Sequence, residues 1–285
     1  MSLNPCTPRC QASTYTRSGL YGGFHGSFVQ AHASGTTGVL DPTADTFGGR
    51  AGMIAASESA DLDFSGGQFG LQAGFNRQFA NRFVLGVEAD WSKSWTRGHQ
   101  DNFALDDQVA IDSGFRQSRT RHDIDWTASL RGRLGYAFDN GLMLYGTAGV
   151  AVLKEDVTRD QYMIQSQNYV TPTGTGDRVT WVDRDSATRV GAAAGFGGEY
   201  ALNDRWSLKG EYIYSRFGAK DYEFANARAG ASPGYTSREQ IGTNPLGQPI
   251  YRYTQNEGGY GTVNGRTASN SLDQHVFRLG LNYRF

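Results

Sequence analysis

The chain has no apolar run long enough to cross a membrane as a helix. Such a span needs about 18 or more apolar residues in succession, and the longest candidate, residues 190–198, is short and rich in glycine. A net charge is also missing: 27 Lys and Arg face 28 Asp and Glu. That balance argues against a nucleic-acid partner, because nucleic-acid binders carry a basic excess. Cysteine occurs only twice, as Cys6 and Cys10. Two thiols are too few for a complete metal site, so a local disulfide or an incidental pair in a terminal tail are the remaining readings. No apolar stretch of about 7–15 residues follows the start, so a secretory signal is not visible in these residues. P-loop and dinucleotide motifs are absent too; Gly191, Gly195, Gly197 and Gly198 lie inside a strand pattern, where glycine serves close packing. Against 7 prolines and 4 methionines stand 38 glycines, 15 tyrosines and 16 phenylalanines, on a chain of mean hydropathy −0.52. Glycine and aromatic residues on a polar background suit many strands and turns, or else a low-complexity chain.

Period-two alternation decides between those two, because it marks strands with one apolar face. Over residues 83–95, Phe83, Leu85, Val87, Ala89, Trp91 and Trp95 share a face opposite Val84, Gly86, Glu88, Asp90, Ser92 and Ser94. Over 124–138, Ile124, Trp126, Ala128, Leu130, Leu134, Tyr136 and Phe138 oppose Asp125, Thr127, Ser129, Arg131, Arg133 and Gly135. Six further segments alternate in the same way, centred on Phe24, Leu71, Leu144, Ala194, Leu208 and Leu279. Strands of soluble proteins run to about 5–6 residues, and these are longer. The predicted count is eight, or ten if the longest connection hides a further hairpin around 251–260.

Short and long connections alternate strictly. Tight turns rich in Asn, Asp and Gly fall at 80–82, 139–141 and 203–205. Long polar stretches, predicted as loops, occupy roughly 34–65, 97–123, 155–187 and 218–271. A soluble sandwich does not require that rhythm, whereas a membrane barrel does, with short turns on one side and long loops on the other. Bulky apolar residues hold one face of every segment, and glycines and charges the other. An eight-stranded barrel has room inside for side chains only, so the polar face is predicted to line the lumen and the apolar face to meet lipid. Backbone groups in lipid all need partners, which requires a closed ring. Aromatic residues fall at two levels. Tyr136, Phe138 and Trp206 lie beside the short turns, and Trp91, Trp95 and Trp126 lie toward the far ends of the strands, as two membrane–water interfaces favour.

The predicted lumen gathers Glu88, Asp90, Arg131, Arg133, Glu199, Lys209, Glu211, Arg278 and Arg284. Buried charges are tolerated when paired, so a salt-bridged plug is the leading expectation, with a narrow ion-lined channel as the alternative. No catalytic, cofactor or metal residue is assigned. Facing arginines would keep Glu88 and Asp90 ionised and unfit as general acids. His25 beside Ser27 reads as lumen filling rather than as a base and nucleophile. His99, Asp101, His122 and Asp123 fall near the outer rim, where a surface protease or metal site would need them to converge. The tyrosines of the longest stretch, Tyr222, Tyr235, Tyr251, Tyr253 and Tyr260, are placed for adaptable contacts with a partner.

The strands and short turns resemble a known family. Residues 66–76 (GGQFGLQAGFN), 83–90 (FVLGVEAD), 130–138 (LRGRLGYAF), 145–151 (YGTAGVA), 199–212 (EYALNDRWSLKGEY) and 278–285 (RLGLNYRF) are similar to the alphaproteobacterial outer-membrane proteins of about 25 and 31 kDa, small barrels of the OmpA-like eight-stranded type. The long loops do not share in the resemblance. It implies a single antiparallel transmembrane β-barrel over 19–285, preceded by a flexible segment over 1–18, in the outer membrane of a Gram-negative bacterium. It further implies lipid and lipopolysaccharide as surroundings, and periplasmic chaperones and the barrel-assembly machinery as partners in biogenesis. The last strand resembles the signal that this machinery reads, carried by Arg278, Gly280, Leu281, Tyr283 and Phe285. The function implied is structural, with surface loops able to meet a ligand or host protein. A small porin or haem-uptake protein, and an outer-membrane hydrolase, are the rivals.

Overall fold

A computed structural model describes residues 16–39, 58–102, 115–163, 178–226, 231–232, 235–245, 247–256, 259–260 and 265–285. Eight long strands carry it: β1 (Gly19–Val39), β2 (Leu62–Gln78), β3 (Phe83–Asn102), β4 (Phe115–Ala137), β5 (Leu142–Met163), β6 (Arg178–Ala201), β7 (Trp206–Phe224) and β8 (Arg266–Arg284). Each pairs antiparallel with the next in sequence. β8 returns to β1, from Tyr21 facing Arg284 to Val39 facing Arg266, and closes the ring. Among the described residues no helix is long and apolar enough to cross a membrane.

At one end, hereafter the lower end, β2–β3, β4–β5 and β6–β7 are joined by the tight turns that the sequence predicts. Asparagine side chains shape all three: Asn81, Asn140 and Asn203 accept from the backbone N–H groups of Phe83, Leu142 and Arg205 at 3.4, 3.1 and 2.9 Å. Gly141 closes its turn with φ of 83°, a left-handed conformation that glycine takes without steric cost. Arg82 takes the same conformation, φ 70°, in the equivalent place.

The strands run to between 17 and 24 residues, about twice what a membrane crossing needs. The stretches predicted as loops from 34, 97, 155 and 218 are therefore strand for much of their length, reaching Val39, Asn102, Met163 and Phe224. Their alternation is hidden because the polarity of the wall inverts partway up. In the lower half apolar residues point outward and polar ones inward: on β3, Leu85, Val87 and Trp91 are exposed while Glu88, Asp90 and Ser92 are buried. In the upper half apolar residues turn inward, alongside buried charges such as Glu155, Arg159 and Arg266. Val29, Ala31, Phe64, Ile124, Leu153, Phe217 and Leu272 form one continuous cluster, and Val157, Tyr222, Phe224 and Ala268 form a second. The outer wall there carries ion pairs, including Arg97–Asp123 at 3.0 Å and Arg119–Asp101 at 2.6 Å.

Two irregularities accompany the inversion. A register shift at Asp125 changes the phase of β4, so that Ile124, predicted on the face of Trp126, turns inward and is buried. Asp125, predicted inward, turns outward and pairs with Lys93. On β7 a shift around Gly218 does the same, bringing Tyr222 and Phe224 inside. Tyr222 is thus a core residue and not a loop contact. The further hairpin exists as Tyr235–Thr243 paired with Pro249–Asn256, a two-stranded sheet apart from the ring, so the barrel keeps eight strands. Cys6, Cys10 and most of the segment 1–18 lie outside the described residues.

Candidate functional site

Inward positions of the lower half bring the predicted charges together. Glu88 and Asp90 on β3 face Arg131 and Ser129 on β4 across the ladder. Glu199 on β6 faces Lys209 on β7, and Glu211 on β7 faces Arg278 on β8. Arginine and lysine side chains then reach across the lumen. Glu88, wholly buried, accepts from Arg131 at 2.9 Å, Arg133 at 3.3 Å and Lys209 at 2.9 and 3.0 Å, and from the Tyr21 hydroxyl at 2.7 Å. Arg131 also holds Glu211 at 3.0 Å and Asp90 at 3.1 Å. Asp90 takes Arg278 at 3.0 Å and the Ser129 hydroxyl. Arg133 reaches Glu199 at 3.0 Å, and its guanidinium lies 3.9 Å from the centre of the Tyr145 ring.

Arg17 completes the lower end of this network. Though it precedes β1, it is buried, 3.3 Å from Glu199, and its backbone N–H donates to Gln78 at 2.7 Å. Sequence reading missed it because nothing alternates around it. Arg284 lies at the edge of the network: half-buried at the mouth, it donates to the Asp204 carbonyl and lines a small hollow with Arg17 and Glu199. The four carboxylates Glu88, Asp90, Glu199 and Glu211 thus meet five cations, Arg17, Arg131, Arg133, Lys209 and Arg278, in a space closed to solvent. Each carboxylate is ionically paired, so none is placed to act as an acid.

A second buried cluster lies above the level of Trp95 and Trp126. Glu155 on β5 receives His122 at 2.6 Å, Arg189 at 2.8 Å and the Tyr222 hydroxyl at 2.6 Å. Arg189 continues to the carbonyl of Asn270 at 3.0 Å. Burial disfavours the charged carboxylate, but the His122 hydrogen bond, the charge of Arg189 and the Tyr222 hydroxyl outweigh it and hold Glu155 below the usual carboxylate range. Burial and the neighbouring Glu155 push the Tyr222 hydroxyl up. Glu155, His122 and Tyr222 fall in stretches predicted as loops, so the cluster escaped detection.

The rim residues do not converge. His122 points inward to Glu155, whereas His99 is exposed on the outer wall and Asp101 is bound by Arg119 at 2.6 and 3.0 Å. His25 Nε2 lies 2.8 Å from Ser92 and does not engage Ser27. Among the described residues no cluster of three metal-binding side chains occurs.

At the lower end outward aromatics group together: Phe83, Tyr136 and Phe138 stack edge to face, as do Trp206, Tyr283 and Phe285. Trp91 and Trp95 stand exposed higher on β3, with Trp126 half-exposed beside Lys93 on β4. In the last strand Arg278 and Gly280 face the lumen, Leu281 and Tyr283 are partly exposed, and Phe285 is fully outward.

The sequence is similar to known outer-membrane proteins. The chain is 32% identical over 169 residues to the 31 kDa outer-membrane immunogenic protein of Brucella melitensis, covering 57% of this chain and 60% of that one. It is 26% identical over 223 residues to the 25 kDa outer-membrane immunogenic protein of the same organism, covering 78% of this chain and 66% of that one. The chain therefore spans about three-fifths of the 31 kDa relative's length. Among solved structures, the outer membrane protein OprG of Pseudomonas aeruginosa aligns with a TM-score of 0.41 at 12% identity, over 94% of this chain and 96% of that one. A family model for the outer membrane protein β-barrel domain matches residues 11–233, and the chain belongs to that family of the bacterial outer membrane.

Proposed function

We propose that this protein is a structural barrel whose lumen is sealed and whose upper half and loops form a surface for contacts outside the cell. The observation that carries the reading is the stacking of two different fillings in one lumen. The ion-paired network occupies the lower half, and the apolar cluster around Ile124, Leu153, Phe217 and Leu272 lies directly above it. An ion entering from above would have to cross an apolar layer, where an unpaired charge costs several kcal/mol or more. The same filling argues against the porin and haem-uptake readings, and the scattered rim residues against the hydrolase. Support for the envelope and surface role comes from the relatives, which are named as immunogenic outer-membrane proteins. Lipid and lipopolysaccharide are the surroundings of the outer wall in this reading, the outer aromatics mark the two interfaces, and the last strand is what the assembly machinery reads.

Planar-bilayer recording tests the sealed lumen. The purified folded barrel is expected to give no steady channel, and Leu153→Ser with Leu272→Ser, which breaks the apolar layer, is expected to raise leak currents. Large steady openings of the unaltered protein would contradict the proposal.

A further inference from the structure

On the outer wall, glycine stands at places where a larger side chain would fit. Inside the barrel it does not: a Cβ at Gly149, Gly191 or Gly195 would lie 2.1–2.2 Å from the carbonyl oxygen of a facing strand. A Cβ at the outward Gly26 meets nothing within 4 Å, one at Gly210 only the tip of Leu279 at 3.8 Å, and one at Gly198 the tip of Leu144 at 3.4 Å and the Met143 carbonyl oxygen at 3.9 Å. Glycine weakens a strand and offers lipid no apolar surface. Packing within the barrel does not explain them; Gly67, Gly132 and Gly146 are as open elsewhere on the wall, and what sets these three apart is that they lie together. Grouped strand glycines leave room for another molecule to approach the backbone closely.

Register gathers them. Gly198 faces Gly210, Gly210 faces Leu279, and Leu279 faces Gly26. Two residues higher, Phe196, Tyr212, Phe277 and Phe28 face one another in an unbroken row, with ring centres 5.4 Å apart for Phe196 and Tyr212 and 5.3 Å for Tyr212 and Phe277. The outcome is an apolar trench of about 1020 Å³ on β6, β7, β8 and β1, floored by backbone at Gly198, Gly210 and Gly26, crossed by Leu279 and walled above by aromatic rings. Polar tips lie on its external side. The Tyr212 hydroxyl is hydrogen-bonded to His275 Nδ1 at 2.7 Å, the Tyr214 ring packs 5.2 Å from His275, and Arg216 follows.

We propose that this trench seats an acyl chain of lipopolysaccharide, with the sugar head against Tyr212, Tyr214 and His275. The proposal rests on the reading that this wall faces lipid. A flexible hydrocarbon chain can follow a trench one side chain deep, whereas a stable protein interface needs about 20–30 residues a side. Hydrogen-bonding groups on the external side select the outer leaflet, where a glycolipid head would sit.

The test is native mass spectrometry of the folded protein, after reconstitution into phosphatidylethanolamine vesicles containing lipopolysaccharide and extraction into mild detergent. The unaltered protein is expected to retain a lipopolysaccharide adduct. Gly198→Leu with Gly210→Leu, which fills the trench, is expected to lose it, and Gly26→Leu serves if that pair fails to fold. Gly132→Leu, at an outward glycine off the trench whose Cβ would meet only the Ala148 carbonyl at 3.8 Å, should keep the adduct. Equal retention by filled and unaltered proteins would overturn the proposal. Failure of the folded barrel to enter vesicles at all would instead bring down the lipid-facing reading beneath it.

Discussion

Glu88 answers three cations and a hydroxyl without any contact with water. Replacing a buried ion pair by apolar groups can be neutral, but removing one partner strands the others and costs about 3–5 kcal/mol. Glu88→Ala is therefore expected to lower the temperature at which the folded form is lost on gels by far more than Arg284→Ala. Arg284 sits at the solvent edge, and its loss should cost about 1 kcal/mol or less. Heat-modifiable migration of the two variants, side by side, measures the difference. Glu155 carries a pH dependence whose sign follows from its lowered folded pKa. A depressed carboxyl contributes stability above its unfolded pKa of about 4.3 and loses it as pH falls through the folded value. The stability gap between the unaltered protein and Glu155→Gln should be widest at neutral pH and close below about pH 4. A gap that widened on acidification would show that the pairing is misassigned. These residues also mark where sequence reading succeeded and stopped. Glu88, Asp90, Arg131 and Arg133 were legible because clean alternation assigned them to one face, and antiparallel order brought β3 against β4. Arg17 and Glu155 were not, since the first precedes the pattern and the second lies beyond its inversion.

Strands and their lower turns were legible because lipid and a narrow lumen impose opposite polarity on successive residues, and because Asn and Gly supply the turns. The upper halves were not, for a physical reason visible on β5. There Leu153, Glu155 and Val157 point inward while Lys154, Asp156 and Thr158 point outward, so the apolar face has changed sides and the segment reads as polar. On β4 a single shifted residue separates Trp126 outside from Ile124 inside, and period-two reading carries straight through such a shift. Packing between elements also sets which glycines matter. A Cβ at Gly195 would lie 2.2 Å from the Tyr212 carbonyl oxygen, so Gly195→Val should prevent β6 from pairing with β7 and abolish the folded gel form. Gly132→Ala, on the outer wall with its nearest neighbour at 3.8 Å, should fold normally. Similar folding yields for both would mean that β6 and β7 lie farther apart than described.

The whole molecule is a cylinder of two storeys with opposite solvation. Its lower storey is apolar outside and ionic inside, which suits a bilayer, and its upper storey is ionic outside, with apolar clusters and the paired Glu155 group inside, which suits water. Closure of β1 on β8 satisfies the backbone in both. This division explains why strands far longer than a membrane crossing occur in a chain with so little hydrophobic sequence, and why the lumen carries two unlike fillings. The direct measurement is a nitroxide scan of the outward residues of β3 in bilayers, with Cys6 and Cys10 replaced by serine, comparing collisions with oxygen and with a water-soluble nickel chelate. Labels at Leu85, Val87 and Ala89 should meet oxygen and exclude the chelate, and the preference should reverse at Arg97 and His99. Free access of the chelate to Leu85 and Val87 would contradict the assignment of the lower storey to lipid.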